Sequence, residues 1–475
     1  MRTLIGSGVV EGRAEHGLAV FRGIPYAEVP VRFGAPAPVH AWGGVRDASV
    51  FGPPPPQSGA FGMDARTERG DDWLTLNVWS PDPAGALPVM VWIQGGAYLF
   101  GASGLPEYDG SVLARAGVVV VTFNYRVGIE GFAQIDGCPP NRGLLDQVAA
   151  LEWVRDNIAA FGGDPRRVTV FGQSAGGGCV AALLAMPRAA GLFARAVAQS
   201  VPGAFFTPAL AADIARACAT ELGCRLAELA EQDPWLLPAA ADAVLGTMER
   251  HADRWGLAAR AQVPFAPVVD GDVLPTTPWD ARRAGVDLLV GHTRHEQRLL
   301  TALSGRLGQI TRAEAEETAR HFAPDPSRYL DAFDDPEELY EVVRSDWLFR
   351  MPSLALAQAH LACGGGTHVY ELTWPAPGLG GVLGACHGLD VPLVFGNLTT
   401  GQTAMLIGEP TPQAYAVSEQ MRNAWVAFAR DGDPGWPSFD DDSTCLFDVR
   451  PQVSAYPEQL SRSIWSQPPP VLDLV

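Results

Sequence analysis

An α/β fold with a large, mostly parallel sheet flanked by helices is the fold class this sequence predicts, and three stretches predict it. The run Val168-Thr169-Val170-Phe171 is an apolar strand that passes into Gly172-Gln173-Ser174-Ala175-Gly176 and then into the helix-competent stretch Cys179 to Met186. A second apolar strand, Leu87 to Ile93, ends in Gln94-Gly95-Gly96-Ala97-Tyr98. Between them, Leu144 to Phe161 carries apolar residues at 144, 148, 151, 154, 158 and 161, a helix face that stops before a Gly-Gly-Asp-Pro turn. Helix, turn and strand in that order follow the βαβ logic of a parallel sheet.

The Gly-x-Ser-x-Gly turn sets Ser174 on a sharp strand-to-helix corner with its hydroxyl pointing out of the fold. Such a corner crowds the positions two before and two after the serine, where Gly172 and Gly176 have no Cβ to collide. The helix that follows aims free N–H groups and its positive dipole end at charge developing near the serine. Ser174 is therefore the candidate nucleophile; the plainer reading is a glycine-rich turn with a solvated serine. Small residues after the strand at Leu87 to Ile93 let backbone N–H groups approach a substrate closely. Gly96 and Ala97, with the amide of Ala175, are the candidate oxyanion donors, against the alternative of an ordinary strand-end turn.

A base and an orienting acid must accompany such a serine, in the chain order Ser, then Asp or Glu, then His. His387 follows a glycine-rich loop, Gly378 to Cys386, and precedes the apolar run Val391-Pro392-Leu393-Val394-Phe395-Gly396, which makes it the candidate base. His16 and His40 lie among turn residues, and His251, His321 and His360 have charged or helical surroundings typical of a surface. Val286 to Gly291 reads as a buried strand, and Glu296 is the first carboxylate beyond it. Asp270 and Asp272 compete for the role of acid, although Val269-Asp270-Gly271-Asp272 looks like a turn. His292 and His295 stand too near Glu296 to follow it as the base, and Cys386 is an alternative nucleophile beside His387.

Further motifs accompany these. They are Phe21-Arg22-Gly23-Ile24-Pro25-Tyr26-Ala27, Leu76-Asn77-Val78-Trp79, Asn124-Tyr125-Arg126-Val127-Gly128, Phe161-Gly162-Gly163-Asp164-Pro165 and Val394-Phe395-Gly396-Asn397. With them the chain resembles the type-B carboxylesterases, the family of cholinesterases, mammalian carboxylesterases and bacterial para-nitrobenzyl esterases, and the likeness to the bacterial branch covers nearly its whole length. The resemblance implies an α/β-hydrolase fold and a serine esterase that works through an acyl-enzyme without metal or organic cofactor. It puts the triad on Ser174, Glu296 and His387 and the oxyanion donors on Gly96, Ala97 and Ala175. It also implies two scaffold ion pairs, Arg22 with Asp71 and Arg126 with Asp164.

The sequence departs from the family pattern at three places. Gln94 stands where the family has His or Tyr before the oxyanion glycines, Gln297 where it has Gly after the acid, and Pro55 and Trp73 where it has the cysteines of an early disulfide. Cholinesterases hold a quaternary ammonium on a tryptophan in that disulfide-closed loop. The corresponding stretch here, Ser58 to Asp71, has no tryptophan, only Phe61 and Met63, so the expected substrates are neutral esters with small to medium acyl groups. Tyr98, Phe100, Phe132 and Trp374 are candidate pocket-lining residues.

The 475 residues and 47% hydrophobic content fit one large domain, residues 1 to 475, with helical insertions near 205 to 260 and 305 to 365 packing as caps. A net charge of −19, from 34 basic and 53 acidic residues, disfavours nucleic acid and anionic membranes as partners; the partner that the resemblance implies is a small-molecule ester. The seven cysteines, an odd number without paired spacing, fit reduced thiols in a bacterial cytoplasm. No apolar run suggests a signal peptide or a membrane span. The oligomeric state is left between a monomer and a weak dimer. Two other readings remain open: a specialised hydrolase or acyltransferase acting on a carbamate, amide, lactone or biosynthetic intermediate, and a non-catalytic binding protein of the same fold.

Overall fold

Strands buried on both faces read as unbroken apolar runs rather than alternating ones, and such runs form the middle of the main sheet. The computed structural model describes residues 1–60, 68–281 and 285–475, so the stretch with Phe61 and Met63 lies outside the described residues. The strands are β1 (Arg2–Ile5), β2 (Gly8–Glu11), β3 (Arg13–Glu15), β4 (Leu18–Pro25), β5 (Val45–Asp47), β6 (Thr75–Ser80) and β7 (Leu87–Ile93). They continue with β8 (Val119–Phe123), β9 (Gly163–Gln173), β10 (Arg195–Gln199), β11 (Asp287–Thr293), β12 (Thr367–Leu372), β13 (Ser443–Phe447) and β14 (Gln452–Ala455).

β1, β2 and β5 form a small separate sheet, and the other eleven run in the order β14-β13-β12-β11-β10-β9-β7-β8-β6-β4-β3. From β8 to β13 every pairing is parallel, and antiparallel strands finish both edges. Because side chains alternate across a strand, Val89, Val91 and Ile93 enter one core while Met90 and Trp92 enter the other. Trp92 anchors the second core against Phe171, with ring centres 4.8 Å apart, and against Phe395, at 5.0 Å.

The helix read from Leu144 to Phe161 is an α-helix over Arg142–Asn157 that tightens into a 3₁₀ turn over Ile158–Phe161. Gly162, at φ 83°, ends it, and β9 begins at once, so Asp164 and Pro165 belong to the strand rather than to a longer turn. The helix after Ser174 starts at Ala175, earlier than the apolar stretch suggested, and the run around Val394 is a short helix, Asp390–Phe395. Further helices lie at Pro208–Glu221, Leu237–Leu245 and Ala252–Ala261, and at Arg312–Phe322, Pro326–Ala332, Pro336–Ser345 and Met351–Ala362.

Both expected scaffold ion pairs are replaced. Arg22 on β4 bonds Glu15 on the adjoining β3 at 2.5 and 2.7 Å, while Asp71 is exposed. Arg126 forks onto Asp146 of the Arg142–Asn157 helix at 2.7 and 2.8 Å, with both side chains buried. Asp164 could not serve: it sits at the start of β9, whereas Arg126 follows the end of the parallel β8, and Asp164 pairs instead with Arg166 at 3.2 Å. His360 is not a surface residue either; it is buried and bonds the Thr367 hydroxyl at 2.8 Å.

Candidate active site

Open parallel sheets collect functional groups at the carboxyl ends of their strands, and five neighbouring strands do so here. β7 runs into Gln94-Gly95-Gly96-Ala97, β9 into Ser174, β10 into Ser200, β11 into Glu296, and the loop after β12 carries His387.

Ser174 has φ 58° and ψ −126°, a strained corner for a residue with a Cβ. The turn leaves no room at its glycines: a Cβ on Gly172 would lie 2.6 Å from Gly176, and one on Gly176 would lie 2.0 Å from the carbonyl oxygen of Ile93. A Cβ on Gly95 would meet that of Ser174 at 3.2 Å, so the loop after β7 rests directly against the serine. Gly96, Ala97 and Tyr98 all have positive φ, which rolls the backbone over beside Ser174. Among the described residues, the N–H groups of Gly96, Ala97 and Ala175 donate to no protein acceptor. Gln94 adds no side-chain hydrogen bond to this loop; instead the Tyr125 hydroxyl donates to its carbonyl at 2.7 Å.

Glu296 is fully buried and accepts three hydrogen bonds. His387 Nδ1 donates to Oε2 at 2.5 Å, while the Ser200 hydroxyl and the Thr293 N–H donate to Oε1 at 2.6 and 2.8 Å. Burial opposes ionisation, but the adjacent imidazole and these donors outweigh it and hold the carboxyl below its usual range. With its Nδ1 proton on Glu296, His387 presents Nε2 as an acceptor, and the Gln173 amide donates to it at 3.1 Å. Phe349 stacks on the imidazole with ring centres 4.3 Å apart.

His295 joins the acid and base loops. Its backbone N–H donates to the Ala385 carbonyl at 2.8 Å, and its Nδ1 accepts the Ala385 N–H at 3.1 Å. Burial, with help from Arg298 and Arg294, pushes this imidazole down to about 4, so it remains a neutral acceptor. Below the base, buried Asp390 accepts from Gln199 at 2.7 Å and from the Tyr370 hydroxyl at 3.2 Å, and burial raises its carboxyl to about 6. Gln297 turns its backbone N–H to Glu341 Oε1 and to the Ser345 hydroxyl, both at 3.0 Å, which fixes the first turn after the acid.

The competing candidates fall elsewhere. Asp270 accepts the N–H groups of Asp272 and Val273 within its own turn, and the side-chain amide of Asn141 from outside it. Asp272 is exposed beside Arg188. Cys386 is buried, and burial pushes its thiol up, away from the reactive thiolate.

Ser174, His387, Gly96, Ala97 and Ala175 share one cavity of about 210 Å³. Tyr98 and Phe100 line it. Phe132 and Trp374 do not: Phe132 packs behind Tyr98 with ring centres 5.0 Å apart, and Trp374 is buried in the core on the other face of the sheet. Gln57 ties the wall that carries no disulfide, donating to the carbonyls of Pro55 and Gly101 at 3.1 and 3.0 Å. Ser200 and Phe349 escaped the sequence reading, while Gln173, inside the serine pentapeptide, and His295, beside Glu296, stood at positions that pointed to the site.

The sequence pattern of the Carboxylesterase family matches residues 2–462. The chain belongs to the carboxylesterase family. It is 37% identical to the para-nitrobenzyl esterase of Bacillus subtilis (strain 168), over 96% of each chain. It is 34% identical to the phenmedipham hydrolase of Pseudarthrobacter oxydans, again over 96% of each. The crystal structure of a Geobacillus stearothermophilus carboxylesterase superposes with a TM-score of 0.86 at 32% identity, covering 98% of this chain and 100% of the other. Among the described residues, no helix is long and apolar enough to cross a membrane.

Proposed function

We propose that the chain hydrolyses carboxylic esters, including neutral ones with small to medium acyl groups, through an acyl-enzyme on Ser174. The observation that carries this reading is the 2.5 Å contact from His387 to Glu296, at a cavity that also holds Ser174 and three unengaged backbone donors. Glu296 fixes the imidazole tautomer, so Nε2 is free to take the serine proton once Gln173 yields it. Ser174 Oγ then attacks the ester carbonyl, and the oxyanion is held by the N–H groups of Gly96, Ala97 and Ala175. His387 returns the proton to the leaving alcohol as the tetrahedral intermediate collapses, and water repeats both steps to release the acid.

The helical segments near 205 to 260 and 305 to 365 act in this reading as a cap on a single catalytic domain. Supporting it, Leu348 and Phe349 of the second segment line the cavity, as do Ala261 to Pro264 just beyond the first. All seven cysteines are free, which supports a place in the cytoplasm. A specialised hydrolase is the second reading, favoured by a relative named for hydrolysis of a single compound, phenmedipham.

Ser174→Ala tests the proposal. It should cost about 10⁴- to 10⁶-fold in kcat on a nitrophenyl ester while the far-UV spectrum and melting midpoint stay in place. Near-normal turnover by a clean preparation of that variant would remove Ser174 as nucleophile.

A further inference from the structure

The wall of the cavity contains a cation that no anion among the described residues neutralises. Arg344 lies one residue from the end of the Pro336–Ser345 helix, lines the cavity and is only 7% exposed. Among the described residues no carboxylate or carbonyl oxygen accepts from its guanidinium, and its Nε is sealed without a partner. Its contacts are instead with aromatic faces, Phe322 at 4.4 Å and Trp347 at 5.8 Å. Other buried arginines here are treated differently: Arg126 forks onto Asp146, and Arg350 lies against Asp346 and Glu458. Two rings return only part of the hydration a guanidinium loses on burial.

The other ionisable groups on the cavity wall leave this charge unmatched. Glu107 keeps its Oε2 buried without a hydrogen-bond partner, and that burial raises its carboxyl toward the neutral form despite the backbone N–H groups of its own turn and of Gln402. His387 is engaged by Glu296. Glu341, one turn before Arg344, is occupied by Gln297 and Ser345.

Resting on the esterase reading above, we infer that this site is shaped for esters that also bear a free carboxylate, which Arg344 receives as the ester bond meets Ser174. A guanidinium is the side chain suited to such a partner, offering paired N–H donors in a fork that matches a carboxylate. The shared cavity sets the substrate class. Arg344 lines the same cavity as Ser174 and His387 and stands five residues before Phe349, the residue stacked on His387. Half-esters of short dicarboxylic acids are the simplest substrates that carry both groups.

The test compares the monoethyl esters of succinate, glutarate and adipate with the ethyl esters of the corresponding methyl-terminated acids, followed by proton release at neutral pH. At least one half-ester should exceed its uncharged counterpart by tenfold or more in kcat/KM. Arg344→Met should bring that ratio to one or below, and Arg344→Lys should keep part of it. Ratios at or below one for all three pairs in the wild-type enzyme, with the neutral esters still hydrolysed, overturn the inference even if neither variant folds. Failure of the wild type on both members of every pair would instead overturn the esterase reading on which it rests.

Discussion

Removing the Ser200 hydroxyl isolates one of the three supports of Glu296, the proposed catalytic acid. The hydroxyl donates to Glu296 Oε1 at 2.6 Å, and both residues are fully buried, so no water stands ready to replace it. A hydrogen bond to a charged group contributes about 1.5–3 kcal/mol, and Ser200→Ala should lose an amount in that range at neutral pH. Since 1.4 kcal/mol corresponds to tenfold in rate, the loss in kcat should reach about ten- to a hundredfold if all of it is felt in the transition state. Ser200 has φ 53°, a conformation that costs alanine about 1–2 kcal/mol and glycine almost nothing. Ser200→Gly should therefore match Ser200→Ala in rate and exceed it in stability.

The pH dependence has a definite sign. Glu296 is held below its ordinary value of 4.5 in the folded protein. Its contribution is thus present above the unfolded pKa and lost as pH falls through the folded one. Ser200→Ala relaxes that depression, so its cost should be full at pH 7 and fade below about pH 4. Urea unfolding at the two pH values, with nitrophenyl ester turnover at the higher one, measures both effects. An Ala variant as stable as wild type at pH 7, or equally destabilised at both pH values, would refute the argument.

Glu296→Gln should lose far more activity than Asp270→Asn or Asp272→Asn in the same assay, since Glu296 alone of the three bonds His387, while Asp270 caps its own turn and Asp272 lies beside Arg188; comparable losses would mean the acid is misassigned. Asp146→Asn strands the buried Arg126 guanidinium and should destabilise the fold by about 3–5 kcal/mol in chemical denaturation, whereas Asp164→Asn, on an exposed arginine, should cost little. A choline ester should be hydrolysed no better than its uncharged carbon isostere, judged by kcat/KM at physiological salt; a tenfold preference for choline would point to an aromatic cation site.

The grouping of the proposed site residues was legible because it depends on short-range geometry. Gly172, Ser174 and Gly176 announce a corner only those residues can form, and chain order then selects Glu296 and His387. The partners of Arg22 and Arg126 were missed because an ion pair depends on which strands adjoin and which ends face each other, and parallel crossovers separate those neighbours widely in sequence. Phe132 and Trp374 failed for the same reason. An aromatic residue reads alike in sequence whether its ring faces a cavity or a core, and for Trp374 the face of the sheet decided. Ser200 and His295 carry no motif, since their partners, Glu296 and Ala385, lie about ninety residues away.

The bridge from His295 to Ala385 bears on how such an enzyme can change. It ties acid and base to the sheet and to each other, while Arg344, Leu348 and Phe349 reach the cavity from helices outside that bridge. Substitutions among those helices can remodel what is recognised while the proton path keeps its registration. Laboratory selection for new substrates should therefore accumulate changes in the helical wall and leave residues 293 to 296 and 385 to 387 untouched.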